Sequence, residues 1–403
     1  MDEFLNPYRP GAGTPPPALT GRDELINRFE TIIRRAVAGR PGKSLMVIGL
    51  RGVGKTVRLN RFCEIAEAQG VRVGLIEAPD TGSFPMLLAA RLRRVLLQLS
   101  QGPVKAAVTR ALGALKSFSY QLPDGSRMAI DVDLLRGTAD SGDLTDDLTD
   151  LLVAAGEAAA ARATGILLAI DEVQYLAAEE LAALISAIHR TSQLNLPVVL
   201  AGAGLPQLPG LAGEAKSYAE RLFDFPLVGS LAREEATAAV AIPARDAGVG
   251  SEDDALEAIF DAAQGYPYFL QEWGYHVWNA CDAPPIRRHD VEQVAPLVRT
   301  QLDQNFFLVR FDRLTPKEKE YLRAMAELGA GPHRSGDIAA ELGVRVETVA
   351  PRRSQLIAKG MIYSPAHGDT AFTVPLFDEF LRRTLPWHGG YPPPRTPRPR
   401  RDG

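Results

Sequence analysis

Residues Ser44 to Thr56, SLMVIGLRGVGKT, constrain the fold of this chain more than any other stretch. An apolar run ends at Gly49, and Gly54, Lys55 and Thr56 follow at the spacing G-x-x-x-x-G-K-[ST]. That pattern predicts a strand, a phosphate-cradling loop and a helix in direct succession. Backbone N–H groups of Leu50, Arg51, Gly52, Val53 and Gly54 are expected to wrap a phosphate, and the helix running through Val57 adds the positive end of its dipole. Gly52 and Gly54 let the backbone approach the anion. Lys55 is expected to bridge two phosphates, and Thr56 to offer its hydroxyl to Mg²⁺.

A second anchor is GILLAIDEVQYL, Gly165 to Leu176. An apolar strand ends there in Asp171-Glu172. Asp171 is expected in the Mg²⁺ shell together with Thr56, and Glu172 as the base or orienter of an attacking water. Further strands are expected at Val71–Ala78, Leu196–Gly204 and Arg221–Leu227, separated by helical patterns. Strands apolar nearly throughout belong in a parallel sheet covered on both faces, so the core is α/β in three layers. Arg221 precedes the last core strand, where an arginine can meet γ-phosphate charge in cis or from a neighbouring subunit. At Gly202 no polar side chain is available to sense that charge.

The remainder divides by composition. Residues 1–18 are rich in Pro and Gly and read as an extended arm. The ATPase-type core occupies 19–230. An insertion at about 103–145 is expected to form a hairpin, with Ser117–Leu122 and Met128–Val132 flanking Pro123–Ser126. Ser141 or Asp143 should cap the helix that follows. A helical lid covers 231–312, and its aromatic segment Gly265 to Trp278 is expected to be core. Over 313–386 the order helix, helix, helix, strand, strand is that of a winged helix. Its third helix, with Pro351 placed in the first turn, presents Arg352, Arg353, Ser354, Gln355 and Lys359 as a candidate face for double-stranded DNA. Residues 387–403 form a Pro/Arg-rich tail that is expected to be disordered.

Composition narrows the function classes. With 46% apolar and 23% charged residues and a net charge of -4, the chain is not a general nucleic-acid coat. Charge is uneven, however: from Arg313 onward 15 Lys and Arg stand against 10 Asp and Glu. Cys63 and Cys281 lack metal or redox spacing, so both read as small apolar residues of a reduced compartment. The N-terminus shows no signal-peptide pattern and no run is long enough to span a bilayer, so the expectation is cytoplasmic, without a membrane partner.

Together, GLRGVGKT, LLAIDEVQYL, LAGAGLP, ERLFDF, the Gly265–Pro267 segment and the C-terminal pattern resemble the AAA+/STAND group of ATPases, nearest to bacterial origin-recognition (initiator)-like members. The resemblance implies ATP rather than GTP. It also implies an adenine pocket from Gly21-Arg22 and from the lid near Gly265 and Pro267, and a homo-oligomer when Arg221 acts in trans. Two departures, Gly202 and the lack of an arginine in the lid helix after Pro267, imply a slow switch rather than a fast motor. Two outputs stay open: DNA binding or loading, and STAND-type signalling through a protein partner.

Overall fold

The computed structural model describes residues 1–11, 13–79, 82–100, 105–121, 132–366 and 368–387. Helix α1 (Asp23–Val37) leads to β1 (Ser44–Gly49), the phosphate-loop helix α2 (Lys55–Ala68), β2 (Arg72–Glu77) and α3 (Phe84–Leu99). After α4 (Lys105–Gln121) and α5 (Leu144–Ala161) come β3 (Ile166–Asp171), α6 (Ala178–Gln193) and β4 (Val198–Gly204). Helices α7 (Leu208–Ala215) and α8 (Ala219–Leu222) precede two short strands, β5 (Phe223–Asp224) and β6 (Leu227–Val228).

The sheet order is β2-β3-β4-β1-β5, all parallel, with β6 also pairing with β1. Side chains alternate strictly between two cores. Leu45, Val47, Leu167, Ala169, Val199 and Ala201 point to one face. Met46, Ile48, Ile166, Leu168, Ile170 and Leu200 point to the other. Both faces are therefore dry, as the unbroken apolar strands require. On the first face α1 meets α2 through stacked Phe29 and Phe62, with ring centroids 4.1 Å apart.

Three local expectations are corrected. Ser117–Gln121 is helix, not strand, because Val108, Ala111, Leu112, Leu115 and Phe118 bury one face of α4 at helical spacing. The turn Pro123–Ser126 and the partner segment up to Asp131 lie outside the described residues. The strand expected over Arg221–Leu227 begins only at Phe223, and Pro226 divides it into β5 and β6, since proline cannot donate to the ladder. The N-terminal arm is not free. Glu3–Leu5 forms a 3-10 turn, the Met1 amino group bonds the Cys281 carbonyl, and Tyr8, 2% exposed, donates to the Val240 carbonyl at 2.6 Å.

The lid comprises α9 (Arg233–Asp246), α10 (Asp253–Ala263), α11 (Pro267–Ala280) and α12 (Arg288–Leu302). Tyr266, Phe269, Trp273 and Trp278 are buried in it. Asp143 caps α5 by accepting from Thr145 and Asp146 N–H. Both cysteines are buried and free, and burial pushes the Cys63 thiol up to about 12.

A π-helical turn, Asp303–Leu308, and the single turn α13 (Val309–Phe311) connect the lid to the C-terminal unit. That unit holds α14 (Pro316–Glu327), β7 (His333–Arg334), α15 (Ser335–Glu341), α16 (Val346–Ala358), β8 (Ile362–Tyr363), β9 (Asp369–Phe372) and α17 (Phe377–Thr384). Its antiparallel sheet runs β7-β9-β8, so a third strand joins the two read from the sequence. Because α16 starts at Val346, Pro351 sits in its second turn rather than its first. Its missing N–H leaves the Glu347 carbonyl without the usual i+4 donor. No helix among the described residues is long and apolar enough to cross a membrane.

Candidate functional site

The carboxyl ends of parallel strands are where open α/β sheets place ligands. Here β1 and β3 deliver the two anchors to one rim, with β4 between them. Gly49 closes β1, and a Cβ on it would lie 2.3 Å from the Val228 carbonyl oxygen. Leu50 follows, and its carbonyl accepts the Lys55 Nζ at 2.9 Å. Gly52 (φ +82) and Gly54 (φ +84) take left-handed conformations that glycine adopts without strain. The lid grips Gly52 directly: the Tyr266 ring packs on it and Tyr268 N–H donates to its carbonyl at 3.3 Å.

Asp171 and Thr56 meet across the rim. Thr56 Oγ1 donates to Asp171 Oδ2 at 2.6 Å, while Asp171 Oδ1 accepts the Glu172 N–H at 2.8 Å. Burial raises the Asp171 pKa; the Thr56 and Glu172 bonds oppose that shift. Burial lowers the Lys55 pKa; the nearby Glu172 and Asp171 charges oppose it, and Arg51 adds to it. Glu172 takes a left-handed backbone, φ +52, directly after the strand. The Gln174 amide donates to its carboxylate, while Gln174 Oε1 accepts the Leu205 N–H at 3.0 Å. Gln174 thus ties Glu172 to the end of β4. Gly202 remains without a side chain for a packing reason: a Cβ there would lie 2.1 Å from Met46 Sδ.

Of these, Lys55, Thr56 and Glu172 open on a cavity of about 400 Å³, and Asp171 does not line it. Arg51 to Val57, Glu172 and Pro267 line it. Gly49, Leu50, Gly21, Arg22 and Gly265 do not. Gly21 (φ +72) packs against Glu235, and Arg22 donates to the Gly229 carbonyl at 2.9 Å. This pair fastens the arm to the lid's first helix rather than forming a pocket wall. Gly265 packs on the Leu231 carbonyl as a hinge between α10 and α11. The wall expected from Gly21-Arg22 is supplied instead by Arg9, Gly11, Gly13, Thr14, Pro16 and Ala18 to Thr20 of the arm. A stretch without periodicity gave no sign of this docking. Arg58 also lines the cavity, donating to the Val53 and Gly54 carbonyls at 2.8 and 3.0 Å. Burial, with Arg22 nearby, pushes it down to about 10.

Arg221 stands apart. It is exposed on α8, just before β5, whose Phe223 pairs with Ser44 at the start of β1. The phosphate loop leaves the other end of β1, about 20 Å away along a six-residue strand. Arg221 therefore cannot reach this cavity from its own chain. Asp224, three residues on, pairs with Arg28 and Lys43.

In the C-terminal unit, Arg353 spends its guanidinium inside the fold. It donates to Thr370 Oγ1, Ser364 Oγ and the Asp369 carbonyl, each at 2.8 Å. Lys359 Nζ pairs with Glu318 at 2.7 Å. Arg352 and Gln355 make no such bonds among the described residues. Gly360, which ends α16, packs on the phosphate loop, where a Cβ would lie 2.6 Å from an Arg51 guanidinium nitrogen.

Comparison with known proteins agrees with this architecture. A model of the AAA ATPase domain matches residues 18–200. A domain of unknown function, DUF8462, matches residues 304–381. No curated protein matches the chain. Among solved structures, the Walker-type ATPase PABY2304 of Pyrococcus abyssi aligns at TM-score 0.58 and 16% identity, covering 94% of this chain and 99% of that one. Cdc6p from Pyrobaculum aerophilum aligns at 0.48 and 16%, over 96% and 99%. The Thermotoga maritima RuvB Holliday junction branch migration motor aligns at 0.45 and 16%, over 91% and 96%. The parallel sheet with its flanking helices is the AAA+ P-loop ATPase fold, and residues 18–200 match the AAA ATPase domain.

Proposed function

We propose that this chain is a slow, switch-like ATPase that couples the state of its bound nucleotide to a winged-helix output unit. The observation that carries the reading is the meeting of Lys55, Thr56 and Glu172 on one cavity, with Asp171 bonded to Thr56, beside a glycine-bent loop and a helix N-terminus. The Thr56 hydroxyl and Asp171 carboxylate are oxygen donors of the kind Mg²⁺ prefers, and two protein ligands suffice because that ion keeps waters and takes phosphate oxygens. When bound, Mg²⁺ would neutralise charge developing on the transferred phosphate. Lys55 would bind the phosphates, and Glu172, held by Gln174, would orient the attacking water. The arm and Pro267 would face the base of ATP.

Slow turnover is supported by the glycine at position 202 and by the carbonyl and amide bonds that already engage Lys55 and Glu172. Arg221 would act only in trans, in a homo-oligomer.

For the output, the internal bonds of Arg353 and Lys359 leave Arg352, Ser354 and Gln355 of the candidate DNA face. Gly360 meanwhile rests on the phosphate loop. Both observations favour a unit that packs on the ATPase and serves a protein partner, over a DNA-loading initiator. Retention of duplex DNA by the ATP-bound Glu172→Gln protein separates the two. Salt-sensitive retention that weakens in Arg352→Ala would restore the DNA reading; no retention at low salt supports the protein-partner reading.

A further inference from the structure

Among the cations that line the cavity, Arg310 belongs to no motif and stands on the segment leading into the C-terminal unit. Arg310 follows the π-helical turn Asp303–Leu308, a distortion that recurs at functional sites. Its guanidinium carbon lies 4.0 Å from the Phe306 ring centroid, and the group donates to the Phe306 carbonyl. Phe306, Asn305 and Arg310 all line the cavity that holds Lys55, Thr56 and Glu172. The largest electrostatic neighbours of Arg310 are Arg51, Tyr266, Tyr268 and Arg313, with no carboxylate among them. Burial lowers the Arg310 pKa and Arg51 pushes it the same way. Two part-buried guanidinium groups on one cavity repel each other, and an anion shared by both would reverse that cost.

The position of Arg51 indicates which anion. Arg51 donates to the Tyr175 hydroxyl at 2.5 Å, and with Glu172 and Tyr175 it lines a second cavity that shares Arg51 and Glu172 with the first. Glu172 marks the side from which water would attack, beyond the terminal phosphate in an in-line displacement. We infer that Arg310 and Arg51 together hold the terminal phosphate of a nucleoside triphosphate, one from the phosphate loop and one from the segment that leads into the C-terminal unit. The inference rests on the nucleotide-site reading above and adds to it a residue that separates triphosphate from diphosphate.

The same segment is wired to the C-terminal unit. Phe306 stacks on Tyr268 of the lid, with centroids 4.8 Å apart, and Phe307 stacks on Phe380 of α17 at 5.2 Å. Arg51 itself touches Gly360. A phosphate held by both arginines therefore bears on the connector and on the end of α16 at once.

The test measures ATP and ADP affinity by titration calorimetry in the Glu172→Gln background, with Arg310→Gln, Arg310→Lys and Lys55→Ala added singly. Arg310→Gln should weaken ATP by about tenfold or more, the size of a lost charge-assisted hydrogen bond, and ADP by less than about twofold. Arg310→Lys should recover part of the ATP loss. Hydrogen exchange over α16 and α17 should differ between ATP and ADP in the parent, and should not in Arg310→Gln. Equal losses for the two nucleotides, or none, overturn the role of Arg310. If Lys55→Ala binds nucleotide as the parent does, the nucleotide-site reading itself fails; if Lys55→Ala loses both ligands while Arg310→Gln keeps ATP, only the Arg310 inference fails.

Discussion

Glu172 carries a left-handed backbone that costs a non-glycine residue about 1–3 kcal/mol, and such strain gathers at functional sites. Its carboxylate is fixed by Gln174 rather than left to solvent. Glu172→Gln is expected to keep ATP affinity while lowering single-turnover hydrolysis by about 100-fold or more. Equal turnover in parent and variant would remove Glu172 from the chemistry. Gly202 is a second residue whose role is set by its neighbour. Gly202→Ser should destabilise by about 1–3 kcal/mol, because its Cβ would fall on Met46. In a Met46→Ala background the added cost should be smaller, which a pair of denaturant titrations would show. Gly54, Lys55 and Thr56 could be picked out from spacing, and Asp171 from its place at the end of an apolar strand. Gln174 could not: a glutamine three residues beyond a strand has no pattern, and only the return of β4 beside it gives it a task.

Among the elements, the parallel strands were the most legible. Their residues are apolar on both faces, and burial on both faces leaves no other pattern. The C-terminal end of α4 was misread because Ser117 and Ser119 alternate with Phe118 like a strand. In the structure Ser117 and Ser119 donate to the Leu135 and Lys116 carbonyls, so their hydroxyls are satisfied within the packed helix. The arm was misread because proline and glycine hide its anchors. Tyr8 is such an anchor, lying against Gly274 of α11 and bonded to Val240 of α9. Tyr8→Phe should cost about 1–3 kcal/mol, since the buried carbonyl loses its donor, and Tyr8→Ala should cost more by opening a cavity. Chemical denaturation would measure both, and an unchanged midpoint would mean that the arm is not part of the folded core.

At the scale of the whole molecule, one apolar core runs from α1 through the lid to α17. Nucleotide state can therefore reach the C-terminal unit through packed side chains rather than a loose tether. The same scale decides Arg221. Its place at the far end of β1 confines any catalytic role to a neighbouring subunit, so Arg221→Ala mixed with Lys55→Ala should recover turnover that neither has alone. Mixing without recovery would leave Arg221 a surface residue.

Locally encoded features needed only the chain's own order. The phosphate loop, the Asp171-Glu172 strand end, the buried parallel strands and the succession of units depend on residues close in sequence, whose spacing sets conformation directly. Tertiary structure alone decided the rest. Arg310 enters the cavity more than 250 residues after Lys55, the arm replaces Gly21-Arg22 as its wall, and Arg353 turns inward to Ser364, Asp369 and Thr370. Each depends on which surfaces meet after collapse, and a charged side chain on a short segment is equally compatible with solvent, a partner or a buried anion until those surfaces are in place.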